Sequence, residues 1–575
     1  MEQHRAGRRT RLASAAPLAR PEGAPRTRHR VMEIATAYRV LPVPDRHEAD
    51  FWQGGATGEL RVGWCMHCGR LRHPSLAFCD ACQAAIHEYK SLSGSATVLA
   101  LTINHQKWLP GYDPPYIIAI VGLVEDPDVR LTTNIVDADL DTVRIGDRVS
   151  VRFLQQDDIW IPVFVPDPTP ETEPAAPTSD LPETIAAPPM IGKRFEDSVV
   201  LSGYGSSPIA RRLDRSALSL CVEACTSAIV DAGLSIADID GVCAYPGSDG
   251  LPGISSGGFR ALEQALRIRP VWHCGAREIP GQAGTIIDAM LAVASGLCRH
   301  VLCFTTFAEA ARPSVRGPSG RIAGELSWRV PFGAASPANW IALYASRYMA
   351  RFGADRDMLG WIAVNARQAA MRNPDAIYRD PITMADYAAA RLISTPFGLL
   401  DCDIPCDGAI AFVVSSAAVA DDLPNPATRI EAVGTRITEV QSWDQGTLTH
   451  QPNVFGPAAH LWSRTDMRPE DIDVALLYDG FTFNVVSWIE ALGFCGIGEA
   501  TAFLDGGKCI APGGGLPLNP HGGHLSAGRT NGYGHLQEAM LQLRGGAGER
   551  QIPNCNVALV SSGGGIPASC MILRR

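Results

Sequence analysis

The sequence predicts an α/β protein made of stacked sheets and helices, preceded by a small β-barrel and a cysteine knuckle. Three observations carry this prediction. From residue 198 onward, apolar strand-like runs alternate with amphipathic helical stretches, as in layered α/β folds. Between residues 88 and 166, short β-rich runs are separated by turns, which indicates a barrel. Ahead of the barrel, four cysteines form two Cys-x2-Cys pairs.

The four cysteines have the spacing of a tetrahedral metal site. Cys65 and Cys68 form the first pair, and Cys79 and Cys82 form the second pair. Two such hairpins supply four thiolates, which suits zinc. Because all four ligands would come from the protein, we expect a structural zinc site and not a catalytic one. Four unrelated reduced cysteines are the alternative.

Composition narrows the class of protein. The chain is 46% hydrophobic and 19% charged, which suits a globular enzyme with large cores. Its net charge of -10 argues against a nucleic-acid partner, and no apolar run is long enough to predict a membrane span. The chain has 16 cysteines, and most of those outside the knuckle lie in apolar runs. Reduced thiols in a cytoplasmic protein are therefore expected.

Four stretches in the last two-thirds of the chain resemble the thiolases, and they occur in that family's order. They are Ser394–Ser416, Tyr478–Gly493, Asn519–Gly528 and Ser561–Gly565. The second stretch, YDGFTFNVVSWIEALG, is similar to a segment of the sterol-carrier-protein-x thiolases that begins His-Asp-x-Phe. The resemblance implies a five-layered thiolase-like fold, an acyl-CoA substrate and a homodimer formed through the thiolase-like domain.

The thiolase chemistry itself is missing from these stretches. Gly281 or Gln282 stands where the resemblance places the nucleophilic Cys, and Tyr478 replaces a His. Arg529 follows the glycine-rich loop where thiolases have a His, and Ser561 replaces the C-terminal Cys. A thiolase needs a thiolate, a base that activates it and a second thiol. Claisen condensation and thiolysis are therefore not expected.

The knuckle, the barrel and the preceding Phe51–Leu60 resemble the family called domain of unknown function 35. That resemblance implies a rubredoxin-like zinc ribbon followed by an OB-fold that helps to hold acyl-CoA. The barrel lacks a basic, aromatic stripe, so nucleic-acid binding is the minor alternative. Trp108, Tyr112 and Tyr116 are candidates for contacts with CoA, although plain packing explains them equally well.

Composition and the two resemblances together divide the chain into six segments. The expected segments are a disordered tail over 1–32, a helix plus zinc ribbon over 33–87, an OB-fold barrel over 88–166, a linker over 167–193, and two thiolase-like halves over 194–422 and 423–575. The linker prediction rests on its content of Pro, Ala, Thr and Glu.

The whole pattern is similar to the lipid-transfer-protein aldolases of steroid side-chain degradation. There a thiolase-like chain works with an OB-fold partner, which is fused on here. The resemblance implies retro-aldol cleavage of a bulky, steroid-like β-hydroxyacyl-CoA to a ketone or aldehyde and a shorter acyl-CoA. The catalytic residues that it implies are Tyr478, Tyr533, His521 and Asp479. The residues expected to bind the thioester are His524, Gly522, Gly523, Gly563 and Gly564.

These assignments leave alternatives open. Either tyrosine could be the base, and each could instead be a packing residue. A second hypothesis is an acyltransferase or thiolase that uses Cys274 after a loop rearrangement. A third is a non-catalytic acyl-CoA or lipid carrier that scaffolds a partner enzyme. An enoyl-CoA hydratase is the partner that we expect the barrel to dock.

Overall fold

The computed structural model describes most of the chain. The described residues are 39–167, 194–246, 258–275, 281, 284–308, 320–440, 442–564 and 568–575. The predicted tail over 1–32 and nearly all of the predicted linker over 167–193 lie outside them. Within the described ranges, no helix is both long and apolar enough to cross a bilayer.

The N-terminal part of the chain forms the knuckle and the barrel. Its elements are β1 (Leu41–Pro42), α1 (Ala49–Gln53), β2 (Leu60–Trp64), β3 (Leu71–Arg72), β4 (Glu88–Leu92), β5 (Ser95–Asn104), β6 (Tyr116–Leu123), β7 (Arg130–Thr133), β8 (Arg148–Gln156) and β9 (Ile159–Pro166). Strands β2, β3 and β4 form a small antiparallel sheet beside the four cysteines. Strands β5 to β9 pair antiparallel around a core of their own, as the β-rich runs predict.

The next part of the chain forms a half-sheet and a long excursion from it. Its elements are β10 (Val199–Ser206), α2 (Ala217–Asp231), β11 (Gly241–Tyr245), α3 (Gly258–Leu266), β12 (Trp272–Gly275), α4 (Gly284–Ala294), β13 (His300–Ala308), β14 (Arg321–Ile322), α5 (Pro337–Phe352), α6 (Asp357–Ala370), α7 (Met384–Ala389), β15 (Leu392–Ser394), β16 (Phe397–Gly398) and β17 (Asp407–Ser416). The excursion lies between β13 and β17, in the stretch that the sequence marks as a long insertion.

The last part of the chain repeats the half-sheet. Its elements are β18 (Thr428–Gly434), α8 (Phe455–Trp462), β19 (Val474–Leu476), α9 (Thr482–Ala491), α10 (Ala500–Leu504), α11 (Gly523–Ser526), α12 (Tyr533–Arg544), β20 (Val557–Ser562) and β21 (Ser569–Arg574).

Among the described strands, the two halves share one topology. The large sheet has the order β12-β11-β13-β17-β10-β18-β21-β20-β19. Counted within its half, the first set of sheet strands runs 3-2-4-5-1 and the second set runs 1-4-3-2. The second order is the mirror image of the first once the edge strand β12 is left out. Parallel pairs occur at equivalent places, between β11 and β13 and between β19 and β20. The order therefore shows the internal repeat that the sequence reveals only faintly.

The two halves share a central helical layer, which gives the five-layered fold. Residues of α4 and α12 lie in one apolar cluster together with strands of both halves. On the opposite face of the first half, α2 and α3 pack over the strands. On the outer face of the second half, α8 and α9 join a cluster that also contains the excursion helices α5 and α6. The predicted thiolase-like architecture is confirmed.

The barrel is attached to the body through the excursion. Strand β15 pairs antiparallel with barrel strand β5, so that Ser394 lies opposite Asn104 in a shared sheet. A second contact stacks Trp52 of α1 on Trp328 of the excursion, with ring centroids 5.2 Å apart. Both tryptophans are buried. Barrel and body therefore share apolar cores and backbone hydrogen bonds.

Candidate active site

A cavity of about 650 Å³ lies where the barrel, the excursion and the body meet. Volumes of this size are typical of small-molecule sites. Its described lining residues come from all three parts: Gln106, Trp108, Tyr245, Gly281, Ser336, Pro337, Ala338, Trp340, Arg391, Ile393, Leu399, Cys402, Asp403, Pro405, Trp443, Tyr478, Gly480, Phe481, Asn484, Arg529 and Gly564. Aromatic and aliphatic side chains cover much of the wall, and a smaller polar group gathers around Tyr478.

The barrel supplies one wall of the cavity through the loop after β5. Trp108 is 36% exposed, and its indole N–H donates to Oδ1 of Asn104 at 3.0 Å. Asn339 of α5 donates to the same oxygen at 3.0 Å and to Ser394 Oγ at 3.0 Å. Gln106 accepts a hydrogen bond from Arg391 across the rim at 2.9 Å. These bonds hold a barrel aromatic ring against the body.

The excursion and the loop before α8 together supply a second aromatic wall. Trp340 and Trp443 lie with ring centroids 4.8 Å apart, and the guanidinium of Arg329 stacks at 4.1 Å from the centroid of Trp340. Helix α5 starts beside them at Ser336, whose hydroxyl accepts the N–H of Ala338 at 3.3 Å, with Pro337 in the first turn. This is a regular helix start. Ring stacking and the N-cap of helix α5 thus hold this wall in place.

Tyr478 stands at the polar end of the cavity with its ring held on three sides. A Cβ at Gly480 would lie 2.8 Å from the ring, and one at Gly564 would lie equally close. His524 packs edge-on against the third side, with centroids 5.0 Å apart. The backbone N–H of Tyr478 donates to Ser561 Oγ at 2.8 Å. Two glycines therefore form the slot in which this ring fits.

Burial keeps the Tyr478 hydroxyl neutral. The residue is 8% exposed, and burial raises its pKa above the ordinary value of a tyrosine. The negative charge of Asp403 raises this pKa further, whereas Arg529 opposes the change. A neutral phenol is a hydrogen-bond donor at physiological pH. A raised pKa therefore does not suit Tyr478 to the role of base, which the sequence leaves open for either tyrosine.

Three chain segments are joined by backbone hydrogen bonds at this end of the cavity. The N–H of Asp403 donates to the carbonyl of Gly480 at 3.0 Å, and the N–H of Arg529 donates to the carbonyl of Ile404 at 2.7 Å. The guanidinium of Arg529 lies 3.4 Å from the Asp403 carboxylate. The described geometry thus brings a phenol, a carboxylate and a guanidinium to one corner.

Asp479 lies behind Tyr478, inside a cluster of buried histidines. Its carboxylate accepts the backbone N–H of His524 at 2.8 Å and lies 3.1 Å from Nε2 of His535. Burial, reinforced by neighbouring His535, holds the pKa of His521 and His524 well below the usual value. Both rings are therefore neutral, and none of these four residues lines the cavity.

The same cluster has the composition of a metal site, but its hydrogen bonding argues against one. Asp479, His524 and His535 place one ligand atom each within 4.8 Å of the others. However, Nε2 of His524 accepts the N–H of Gly532 at 3.1 Å. A neutral imidazole that accepts at one nitrogen carries its proton on the other, so Nδ1 cannot bind a metal. We interpret the cluster as packing that supports Tyr478.

The glycines predicted to approach the thioester have other neighbours. A Cβ at Gly523 would collide with the carboxylate of Asp479, and one at Gly522 would lie 2.7 Å from the side chain of Ala370. Gly563 accepts a hydrogen bond from Gln451 through its carbonyl. Of the four glycines predicted to bind the thioester, Gly522, Gly523, Gly563 and Gly564, only Gly564 lines the described cavity.

Tyr533 is not placed in the cavity wall. It begins α12, has no exposed surface and hydrogen-bonds through its hydroxyl to Thr285 in the first turn of α4. Burial raises its pKa well above the usual value. Helix α4 is the helix at whose start the resemblance places the thiolase nucleophile. Tyr533 therefore contacts the first turn of that helix within the central layer and does not face the described cavity.

No described thiol occupies the place of a thiolase cysteine. Gly281 lines the cavity with φ at +65°, and a Cβ there would lie 2.8 Å from the Ser562 carbonyl oxygen. The thiol of Cys402 does line the cavity, but burial and the charge of Asp401 raise its pKa well above normal. Cys274 sits on edge strand β12, outside the described lining, and a hydrogen bond with Cys243 lowers its pKa to about 7.

The cysteine knuckle forms a separate site in the N-terminal part of the chain. The Sγ atoms of Cys65 and Cys82 are 3.5 Å apart, and those of Cys68 and Cys79 are 3.6 Å apart. All four lie within 4.8 Å of one another. Each pair is closed by a similar turn, in which Gly69 donates to Cys65 and Gln83 donates to Cys79, both at 2.8 Å. Four converging thiol groups fit a metal ion.

Sequence reasoning missed several residues that line the polar or aromatic wall, among them Asp403, Tyr245 and Trp443. Tyr245 ends strand β11, Asp403 lies in the segment between β16 and β17, and Trp443 lies in the loop before α8. The position of Tyr245 at the carboxyl end of β11 was a usable signal, because ligands bind at such edges in α/β sheets. Nothing in the local sequence points to Asp403 or Trp443.

Comparison with known proteins agrees with this geometry. The family description "Thiolase C-terminal domain-like" matches residues 439–574, and "ChsH2, C-terminal OB-fold domain" matches residues 89–154. The "Steroid side-chain-cleaving aldolase" of Thermomonospora curvata is 35% identical over 390 residues, which cover 65% of this chain and 97% of that protein.

Two further relatives extend the comparison. The "17-hydroxy-3-oxo-4-pregnene-20-carboxyl-CoA lyase" of Mycobacterium tuberculosis is 33% identical, over 64% of this chain and 97% of that protein. The solved structure of an "Ltp2-ChsH2(DUF35) aldolase" aligns with a TM-score of 0.60 at 32% identity, over 66% of this chain and 98% of that one. The chain therefore belongs to the thiolase superfamily, in the family of these thiolase-like aldolases, with a ChsH2-type OB-fold domain in the same polypeptide.

Proposed function

We propose that this protein cleaves a carbon–carbon bond of a bulky, steroid-like β-hydroxyacyl-CoA by a retro-aldol reaction. One observation carries the proposal: a largely aromatic cavity ends at a neutral tyrosine, Tyr478, with a glycine, Gly281, where a thiolase would hold its nucleophile. The names of the relatives from Thermomonospora curvata and Mycobacterium tuberculosis support the same reaction class.

The reaction fits a site that lacks a thiol nucleophile. The bond between the carbon next to the thioester and the hydroxyl-bearing carbon breaks, and its electron pair moves into the thioester as an enolate. A preorganised hydrogen-bond donor stabilises that developing charge. The neutral hydroxyl of Tyr478 can serve as this donor, and no covalent intermediate is needed.

The cavity wall suits a rigid apolar acyl group. Trp108 of the barrel, Trp340 of the excursion and Trp443 of the loop before α8 present flat rings to the cavity. Binding of apolar surface to such walls is favourable because it removes that surface from water. For the substrate in the Mycobacterium tuberculosis relative's name, the cleavage would yield a 17-ketone and propanoyl-CoA.

The other residues predicted for the site have supporting roles in this reaction. Asp479, His521 and His524 hold the loop under Tyr478, and Tyr533 supports the start of α4 through Thr285. We also propose that the two thiolase-like halves extend over 194–422 and 423–575, as the sequence predicts. We also propose a homodimer through the edge strand β12, because an unpaired strand edge favours pairing with another strand, and an enoyl-CoA hydratase as the partner of the barrel.

The first prediction concerns the two tyrosines. Tyr478→Phe should lower kcat for cleavage of the 17-hydroxy steroid thioester by about a hundred- to ten-thousand-fold, the range for loss of a proton-transfer or donor group. Tyr533→Phe should cost less, since its hydroxyl has no exposed surface. Product analysis by chromatography for the ketone and propanoyl-CoA is the measurement.

Tyr378→Phe, a substitution at a tyrosine that is 45% exposed, is the matched control and should keep wild-type kcat. Tyr478→Phe with unchanged kcat would contradict the role of Tyr478. A wild-type protein that binds acyl-CoA and releases no product would support the carrier hypothesis instead.

The second prediction concerns the metal. We propose that the knuckle holds a structural zinc ion on Cys65, Cys68, Cys79 and Cys82, since four thiolates form its usual tetrahedral site. Cys79→Ser should lose about one equivalent of zinc per chain and lower the Tm, because metal binding is coupled to folding of such ribbons. Elemental analysis and a melting curve test this.

Cys509→Ser, at a half-buried cysteine outside the knuckle, is the control and should retain both the metal and the Tm. Zinc retained in full by Cys79→Ser, or iron found in its place in the wild type, would contradict the assignment.

The third prediction separates the aldolase from an acyltransferase. Cys274 is half-buried and its lowered pKa favours the reactive thiolate, so it should be alkylated readily by iodoacetamide. Cleavage activity should survive this labelling because Cys274 does not line the described cavity. Peptide mass spectrometry alongside the activity assay provides the measurement, with Cys274→Ser as the unlabelled control. Inactivation in step with labelling at Cys274 would favour the acyltransferase.

A further inference from the structure

Asp403 is the only acidic side chain among the described residues that line the cavity. Its side chain is 13% exposed and shares the polar corner with Tyr478. Its backbone N–H is fixed to the carbonyl of Gly480, and a Cβ at Gly480 would lie 3.1 Å from the Tyr478 hydroxyl oxygen. Asp403 and Tyr478 both line the cavity, and the negative charge of the Asp403 carboxylate raises the pKa of the Tyr478 phenol.

The corner needs a proton acceptor that Tyr478 cannot supply. Retro-aldol cleavage removes the proton of the substrate hydroxyl, and a phenol whose pKa is raised by burial holds its own proton. The thiol of Cys402 is protonated for the same reason. A carboxylate is an acceptor only when ionised. Asp403 is the one carboxylic acid among the described lining residues, and the guanidinium of Arg529 lies 3.4 Å from it.

The other carboxylates nearby are committed to structure. Asp401 is fully buried and accepts hydrogen bonds from Tyr387 at 2.8 Å and Thr482 at 2.7 Å. Asp479 is bonded to the backbone N–H groups of His524 and Leu525. Neither lines the cavity. Only Asp403 has its carboxylate at the surface where a substrate would bind.

We propose that Asp403 is the general base of the lyase reaction and that Arg529 positions it. This inference rests on the proposed retro-aldol function. The Asp403 carboxylate takes the proton of the β-hydroxyl, the carbonyl of the ketone product forms, and the carbon–carbon bond breaks. The electron pair goes to the thioester enolate, to which Tyr478 donates a hydrogen bond. The protonated carboxyl then returns that proton to the enolate carbon, so no further reactant is required.

Arg529 gives the carboxylate its orientation. Nη1 of Arg529 lies 3.4 Å from Oδ1 of Asp403, and the backbone of Arg529 is bonded to the carbonyl of Ile404. The resemblance to thiolases places a His at position 529. An arginine cannot act as a base at physiological pH, but it keeps a neighbouring carboxylate ionised. The exchange of His for Arg is thus consistent with transfer of the base role to Asp403.

The test uses the full-length protein and the 17-hydroxy steroid thioester. Asp403→Asn, which is nearly isosteric, should lower kcat by about a hundred- to ten-thousand-fold with KM changed by less than about threefold. Asp403→Ala should be equally slow, and added sodium formate should restore part of its kcat in a concentration-dependent manner. Asp421→Asn, at an exposed position, should behave as wild type.

A second readout follows one half-reaction. Wild-type protein in deuterated water should exchange the hydrogens of propanoyl-CoA next to the thioester, because the same base removes them in the reverse direction. Asp403→Asn should lose this exchange while still binding propanoyl-CoA and while keeping its Tm. If Asp403→Asn fails to bind propanoyl-CoA and has a lowered Tm, the formate experiment on Asp403→Ala decides. Absence of rescue by formate would then overturn the proposal.

The failures are distinguishable. A wild-type protein without cleavage or exchange would overturn the proposed function itself. An active wild type together with an Asp403→Asn variant that keeps its kcat would overturn only the role of Asp403.

Discussion

The cavity depends on a buried hydrogen-bonded group centred on Asn104. Its Oδ1 accepts from both Trp108 of the barrel and Asn339 of helix α5, and its Nδ2 donates to the carbonyl of Gln106 at 2.6 Å. Asn104 has no exposed surface. Loss of its side chain would leave buried donors without partners, at about 1–3 kcal/mol for each. This group helps to fix the barrel against the body and holds the ring of Trp108 in the cavity wall.

The same fold that supports thiolase chemistry here holds a different set of groups. Gly281 occupies the position of the nucleophile, Ser561 anchors the backbone of Tyr478, and Arg529 pairs with a carboxylate. Relative to the thiolase pattern, each exchange removes a thiol or an imidazole. What remains is a donor and an acceptor facing one apolar cavity, which is the minimum that a retro-aldol cleavage requires.

Local patterns in the sequence predict much of the fold. The spacing of the four knuckle cysteines, the short barrel strands and the alternation of strands and helices all depend on near neighbours, and the structure has these elements. The pairing of Ser394 with Asn104 joins residues that are far apart in sequence, and no local sequence pattern predicts it. The wall built from barrel and excursion therefore could not be predicted in detail.

The candidate site shows the same limit. Gly523 and Gly564 both lie in glycine-rich loops. A glycine indicates that another group can approach the backbone closely, but it does not indicate which group does so. In the structure, Gly523 approaches Asp479, whereas Gly564 approaches the ring of Tyr478. The two histidines that the sequence offers, His521 and His524, lie behind that ring. Which face of a loop meets the cavity depends on tertiary packing.

The central claim is that this cavity binds the thioester with its carbonyl at Tyr478 and the steroid against the tryptophan walls. A crystal structure of the Asp403→Asn variant with the 17-hydroxy steroid thioester tests it most directly. The account predicts the thioester carbonyl within hydrogen-bonding distance of the Tyr478 hydroxyl and the steroid rings beside Trp108 and Trp340. A thioester bound elsewhere, with this cavity empty, would contradict the account.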